Sequence, residues 1–102
     1  METSELTKEQ KLEVIDEILA MYERDENYQY YICRDIKYTA YIKGYCNVSG
    51  KPLELIPELL MVKPKGANMR DSWFGEPKSP KNRPLRLAAL RRLRKIVMNT
   101  EK

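Results

Sequence analysis

Between Pro84 and Met98 the apolar side chains Leu85, Ala89, Leu90, Leu93, Ile96 and Val97 recur three and four residues apart. That period fits one face of an α-helix and does not fit a strand. Asn82 or Arg83 stands as the cap, and Pro84 takes a first-turn position where its missing N–H costs nothing. Arg91, Arg92, Arg94 and Lys95 fill the other face, so the segment reads as a strongly basic amphipathic helix. Arg86 breaks the pattern. A turn of about 100° per residue projects it into the apolar arc, between Leu93 and Val97. A guanidinium there requires a partner.

Two further helices follow from the same reasoning. Thr7-Lys8-Glu9-Gln10 has the form of a capping box, and Leu12, Ile15, Leu19 and Tyr22, with Val14, Ile18 and Met21 beside them, make a broad apolar face after it. Glu9, Glu13, Asp16, Glu17 and Glu23 occupy the opposite side. A second helix runs from about Tyr28 to Gly44 with a core stripe of Ile32, Cys33, Ile36 and Ala40. Its other face carries Tyr31, Tyr38 and Tyr45 every seven positions, near Tyr30, Arg34 and Tyr41. A helix apolar on both sides is expected between two layers.

Leu53 to Val62 predicts one or two short helical turns, the second opened by Pro57. Lys63 to Arg83 contains Pro64, Gly66, Gly75, Pro77 and Pro80 and is expected to be irregular. The fold class is therefore mainly α: a compact three- to four-helix domain with a long irregular Pro/Gly-containing connection before the last helix. A chain of 102 residues closes one core, so residues 7–98 form a single domain, with disordered ends at 1–6 and 99–102.

Composition removes several function classes. No run reaches the roughly 18 apolar residues that span a bilayer. Met1-Glu2-Thr3-Ser4-Glu5 also lacks the layout of a signal peptide. A soluble intracellular protein without a membrane partner is expected. Cys33 and Cys46 are expected to be reduced and mostly buried. There is no histidine, and two thiols thirteen positions apart match no zinc spacing, so neither a metal nor a cofactor is expected. No Ser or Cys has a recognisable nucleophile setting and no glycine-rich phosphate loop occurs, which points to a protein that is not an enzyme.

The charge is unevenly spread. Positions 1–50 hold six Lys or Arg against ten Asp or Glu, a net −4, and positions 51–102 hold thirteen against five, a net +8. The second half attracts anions or acidic partners. On the last helix, Arg91, Arg92, Arg94 and Lys95 form either a phosphate-binding patch or a face balanced by the acidic first helix. Lys81, Arg83 and Arg86 surround a helix N-terminus, where the dipole disfavours cations. They call for an anion, either a ligand phosphate or a carboxylate such as Glu54, Glu58 or Asp71. Trp73 and Phe74 are either a core plug or a stacking platform. The tyrosine stripe has three readings: a second packed layer, an oligomer interface, or an aromatic wall for a flat ligand.

Tyr31-Ile32-Cys33, Ile56-Pro57-Glu58-Leu59, Trp73-Phe74, and Arg83 ahead of Leu87-Ala88-Ala89-Leu90-Arg91 together resemble small uncharacterised helical proteins of tailed bacteriophages. The likeness covers about positions 28–98. It implies a non-catalytic accessory protein in the cytoplasm of an infected bacterium, with a role in blocking host defence, and it assigns no functional residues. The expectation is thus a phage-type binding protein, homo-oligomeric, that sequesters an anionic small molecule, a nucleotide signal of bacterial antiviral immunity. Arg34, Lys81, Arg83 and Arg86 would hold the anion, with Tyr31, Tyr38 or Trp73 against the base. The alternative is an inhibitor that docks its basic helix onto a host protein or nucleic acid, led by Arg91, Arg92, Arg94 and Lys95.

Overall fold

Thr7 caps the first helix as its sequence requires. Its Oγ1 accepts from the Gln10 N–H at 3.1 Å, and Gln10 Oε1 accepts from the Thr7 N–H at 3.0 Å. The computed structural model describes residues 5–25, 28, 31–47, 51–63 and 82–100. Among these the order is α1 (Lys8–Arg24), α2 (Ile32–Ile42), α3 (Pro52–Leu55), a 3-10 turn (Pro57–Met61) and α4 (Arg83–Asn99), with no strand. The mainly α class holds, and the radius of gyration, 12.8 Å, is that of a compact chain of this length. Most of the expected irregular connection, 64–81, lies outside the described residues.

α1 packs mainly against α4 and next against α2. Arg83, opening α4, reaches the last turn of α1, while Val97 and Thr100 share a cavity with Thr7 and Lys8. The two long helices are therefore antiparallel. The core joins Val14, Ile15, Ile18 and Tyr22 of α1 to Ile32, Cys33, Ile36 and Ala40 of α2, and to Ala89, Leu90, Leu93 and Val97 of α4. Leu55, Ile56 and Leu59 close one side. The predicted stripe of α2 is buried in full.

The stripe of α1 is rotated relative to expectation, and that of α4 departs from it at Leu85 while Arg86 lies in the buried arc where projection put it. In α1 the fully enclosed set includes Lys11, while Leu12, Leu19 and Met21 lie at its border. In α4 Leu85 is 52 % exposed and Arg86 takes the inward place at 1 %. The tyrosine side of α2 is not covered by a second layer of described residues: Tyr38 and Tyr41 are exposed, and Ile42 is 79 % exposed. Gly44, at φ +83°, ends α2. The Tyr45 N–H bonds the Ala40 carbonyl and the Gly44 N–H bonds the Tyr41 carbonyl, a Schellman pattern that needs the left-handed residue glycine supplies. The reversal carries Tyr45 back to α1, where its hydroxyl donates to Glu13 at 2.9 Å. Cys33 and Cys46 are not joined in a disulfide; the first is buried and the second half-buried.

Glu5 and Leu6, placed by the sequence in a disordered end, are tied in. The Leu6 N–H donates to the Leu55 carbonyl, and the Leu6 side chain enters the core. Lys11, 3 % exposed, donates to Glu5 at 2.7 Å and to Glu58 at 3.0 and 3.1 Å. Burial pulls the lysine pKa down, but the two carboxylates outweigh it and hold the ammonium above its ordinary value. At the other end, Thr100 Oγ1 donates to the Ile96 carbonyl, so order extends through Thr100.

Lys11→Met is expected to cost about 2–4 kcal/mol in urea unfolding, because it leaves Glu58 partly buried without its cation. Lys11→Met with Glu58→Leu should recover more than half of that loss. A single variant as stable as the parent would show that the buried ion pairs do not hold the N-terminal segment.

Candidate functional site

The arginines that open α4 have found their negative partners inside the fold. Arg83 donates through Nη1 to the carbonyls of Asp25 (3.2 Å) and Tyr28 (3.3 Å), and through Nη2 to the carbonyl of Tyr22. Its Cζ lies 5.5 Å from the centre of the Tyr22 ring. These oxygens belong to the C-terminal end of α1 and the residues just after it, the negative pole of that helix. A cation misplaced with respect to its own helix is thus well placed with respect to another.

Arg86 is the bulkiest of the fully buried side chains among the described residues. Its charge acts on Asp35 of α2 and on Tyr22. Of the carboxylates expected to answer it, Glu58 is paired with Lys11, Glu54 is exposed, and Asp71 lies outside the described residues. The buried carboxylate facing it is Asp35, 5 % exposed, which the sequence reading passed over. Asp35 does carry a signal: it and Thr39 lie four apart, flanking Ile32 and Ile36 at the edge of the core arc.

Asp35 Oδ1 accepts from the Tyr28 hydroxyl at 2.8 Å, and the Tyr28 ring meets Tyr22 edge-on at 5.1 Å and 88°. Oδ2 makes no hydrogen bond among the described residues. Burial pushes the Asp35 carboxyl up to about 6; the Tyr28 hydrogen bond and the charges of Arg34 and Arg86 pull the other way. Burial and then the negative charge of Asp35 raise the Tyr22 hydroxyl well above its ordinary value, against Arg86 and Arg83.

Beside this network, between α1 and α2, lies a cavity of about 320 Å³. Glu17, Met21 and Tyr28 form one wall, and Arg34, Asp35, Tyr38, Thr39, Ile42 and Lys43 the other. Arg34 Cζ sits 5.3 Å from the centre of the Tyr38 ring, a cation–π contact. The helix puts Arg34 and Tyr38 four residues apart on one side, and Lys43, at the C-cap, suits the negative end of the α2 dipole. The arrangement offers a flat aromatic surface, two cations and two carboxylates.

Of the residues expected to bind a ligand, Arg34 and Tyr38 therefore line one cavity together. Tyr31, the N-cap of α2, is outside its lining, and Arg83 and Arg86 are engaged in the network behind it. Trp73 and Lys81 lie outside the described residues. On α4, Arg94 pairs with Asp16 of α1 at 2.6 Å, whereas Arg91, Arg92 and Lys95 are exposed and form no salt bridge among the described residues. Among the described residues the face of α4 is thus balanced by α1 at Arg94. Among the described residues no group of three His, Cys, Asp or Glu is placed to hold a metal, and no helix is long and apolar enough to cross a membrane. Comparison with protein-family models, with curated proteins and with solved structures finds no match.

Proposed function

We propose that this chain is a non-catalytic binding protein that takes a flat anionic small molecule, of the nucleotide class, into the cavity between α1 and α2. One observation carries the reading: the Arg34 guanidinium stands over the Tyr38 ring in the wall of a ligand-sized cavity, with Lys43 on the same wall. Stacking and positive charge together are what a base with a phosphate needs. Tyr38 supplies the ring; Arg34 and Lys43 supply the charge. The proposed setting is an infected bacterial cell, where a phage protein of this kind withdraws a nucleotide signal from host defence. That setting rests on the resemblance of short motifs in this chain to tailed-phage proteins.

Isothermal titration calorimetry with nucleoside monophosphates tests the reading. Arg34→Ala, Tyr38→Ala and Lys43→Ala should each weaken binding by about fivefold or more, since each removes a contact of roughly 1 kcal/mol or more. Arg91→Ala, on the far helix, should leave it unchanged. Absence of binding by any nucleotide, or equal binding by all four variants, would sink the proposal.

The cavity also makes a pH prediction. Asp35 is faced by Tyr28, Arg34, Arg86 and Tyr22, and it gains a proton as pH falls through about 6. That removes one negative charge beside the bound anion. A naphthalene sulfonate, flat and ionised at every pH used, should therefore bind about three- to tenfold more tightly at pH 5 than at pH 7.5. Asp35→Asn should bind tightly and evenly at both.

A second reading is favoured by the outer face of α4, where Arg91, Arg92 and Lys95 are exposed on a helix that contains no acidic residue. It is that of an inhibitor laying this face on an acidic surface of a host protein or on nucleic acid. Binding of that kind should fall steeply between about 50 and 200 mM salt. Arg91→Glu with Arg92→Glu should abolish it while leaving the cavity's ligand affinity intact.

A further inference from the structure

α1 and α4 lie side by side, and the Asp16–Arg94 pair marks the outer side of their seam: the two side chains remain 50 % and 40 % exposed. Glu9, Asp16 and Glu23 recur every seven residues, which keeps them on one side of α1. Arg91, Arg94 and Met98, three and four apart, share one side of α4, with Lys95 beside them. Glu9, Glu23, Arg91 and Lys95 are exposed, and among the described residues none of them forms a salt bridge. The outer side of the seam is therefore a ridge of negative charge next to a ridge of positive charge, joined at Asp16 and Arg94.

Such a face is complementary to itself under one kind of two-fold rotation. When two copies are laid face to face, an axis across the helices sets acidic α1 on acidic α1 and basic α4 on basic α4. An axis along the helices sets each α1 on the α4 of the other copy, which is the charge-matched arrangement. A pure rotation about that axis shifts nothing along it, so α1 and α4 stand at the same level between copies as within one. With Asp16 level with Arg94, Arg91 is about 4.5 Å along the axis from Asp16 of the second copy and about 6 Å from its Glu23. Met98, 47 % exposed, comes level with Leu12, which is itself only partly buried.

We infer that this face is a docking surface for a second copy of the chain: a two-fold dimer in which α1 and α4 of both copies alternate around an axis parallel to them. Two helices of 17 residues present about 25 Å by 20 Å, roughly 1,000 Å² over both copies, which is the low end for a specific interface. The dimer is thus weak and held mainly by charge. None of these residues lines the α1–α2 cavity, so the inference goes beyond the small-molecule reading and does not depend on it. Salt distinguishes it from general stickiness. The chain carries a net +4, so repulsion between whole copies is relieved by salt, whereas attraction between matched ridges is weakened by it.

Sedimentation equilibrium of the nuclease-treated full chain tests the inference. At about 100 μM protein and about 50 mM salt the mass should be that of two chains, falling to one at about 500 mM. Arg91→Glu and Glu23→Arg, each with unchanged circular dichroism, should weaken dimerisation by about tenfold or more, and the two together should restore it to within about threefold of the parent. Lys51→Glu makes the same charge change as Arg91→Glu at an exposed site off the seam and should leave dimerisation within about threefold. Should a single variant not fold, the mass of the parent and its salt dependence still decide. A one-chain mass at low salt, association that strengthens with salt, a mass that climbs past two chains, or a double variant no better than the singles overturns the inference. Association that disappears on nuclease treatment also overturns it, in favour of nucleic acid on the α4 face.

Discussion

Lys11, Asp35 and Arg86 are charged side chains held inside a core small enough that each costs several kcal/mol to remove from water. None is provided for by its own helix. Lys11 of α1 needs Glu58 of the 3-10 turn and Glu5 ahead of α1; Asp35 of α2 is answered by Tyr28 and by the charge of Arg86 from α4. The apolar stripes would tolerate small sliding and rotation of the helices, because aliphatic contacts are not directional. Buried charges do not, since a displacement of one turn would strand them. The register of α1, α2 and α4 against one another therefore depends on these polar contacts, while the Leu, Ile and Val side chains provide most of the driving force.

The helices and their buried faces were legible because periodicity reports local geometry directly. α2 gave up its entire core stripe, and Arg86 was visible as a guanidinium in an apolar arc. Applied to the rest of the chain, the same projection reaches further. Lys11 stands one turn before Ile15 and two before Ile18, and Asp35 sits beside Ile32 and Ile36, so both fall on or beside a buried stripe. A charge on a core face is a stronger signal than a charge cluster on a solvent face. What projection does not yield is the identity of the partner. Arg83 looked like a phosphate ligand because its own helix disfavours it, and the compensating oxygens come from the far end of α1, 55 to 61 positions away.

That displacement moves the candidate site from the first turn of α4 to the wall of α2. The anomaly at Arg83 and Arg86 was real, but what answers it there is protein. Tyr22 meets Tyr28 edge-on, Tyr28 bonds Asp35, and Tyr28 and Asp35 both line the cavity, so the network that holds these arginines borders it. The charge dipole of the sequence is resolved in the same way. Acidic α1 and basic α4 lie antiparallel and are joined by Asp16 and Arg94, an exposed pair that contributes little stability by itself.

Asp35 belongs to both the buried network and the cavity, and its titration shows what that double role costs. Its folded pKa, about 6, lies above the ordinary value of 3.8, so the native state binds this proton more readily than the unfolded chain. Its contribution to stability is full below about pH 4 and is lost as pH rises through about 6. At neutral pH the fold thus carries an ionised carboxylate that it would be more stable without. Asparagine has the same shape and could accept from Tyr28, but it would leave the buried Arg86 guanidinium without the carboxylate that faces it. A buried carboxylate hydrogen-bonded by Tyr28 and acted on by the charge of Arg86 therefore constrains how α2 and α4 meet, at a place that also borders the cavity.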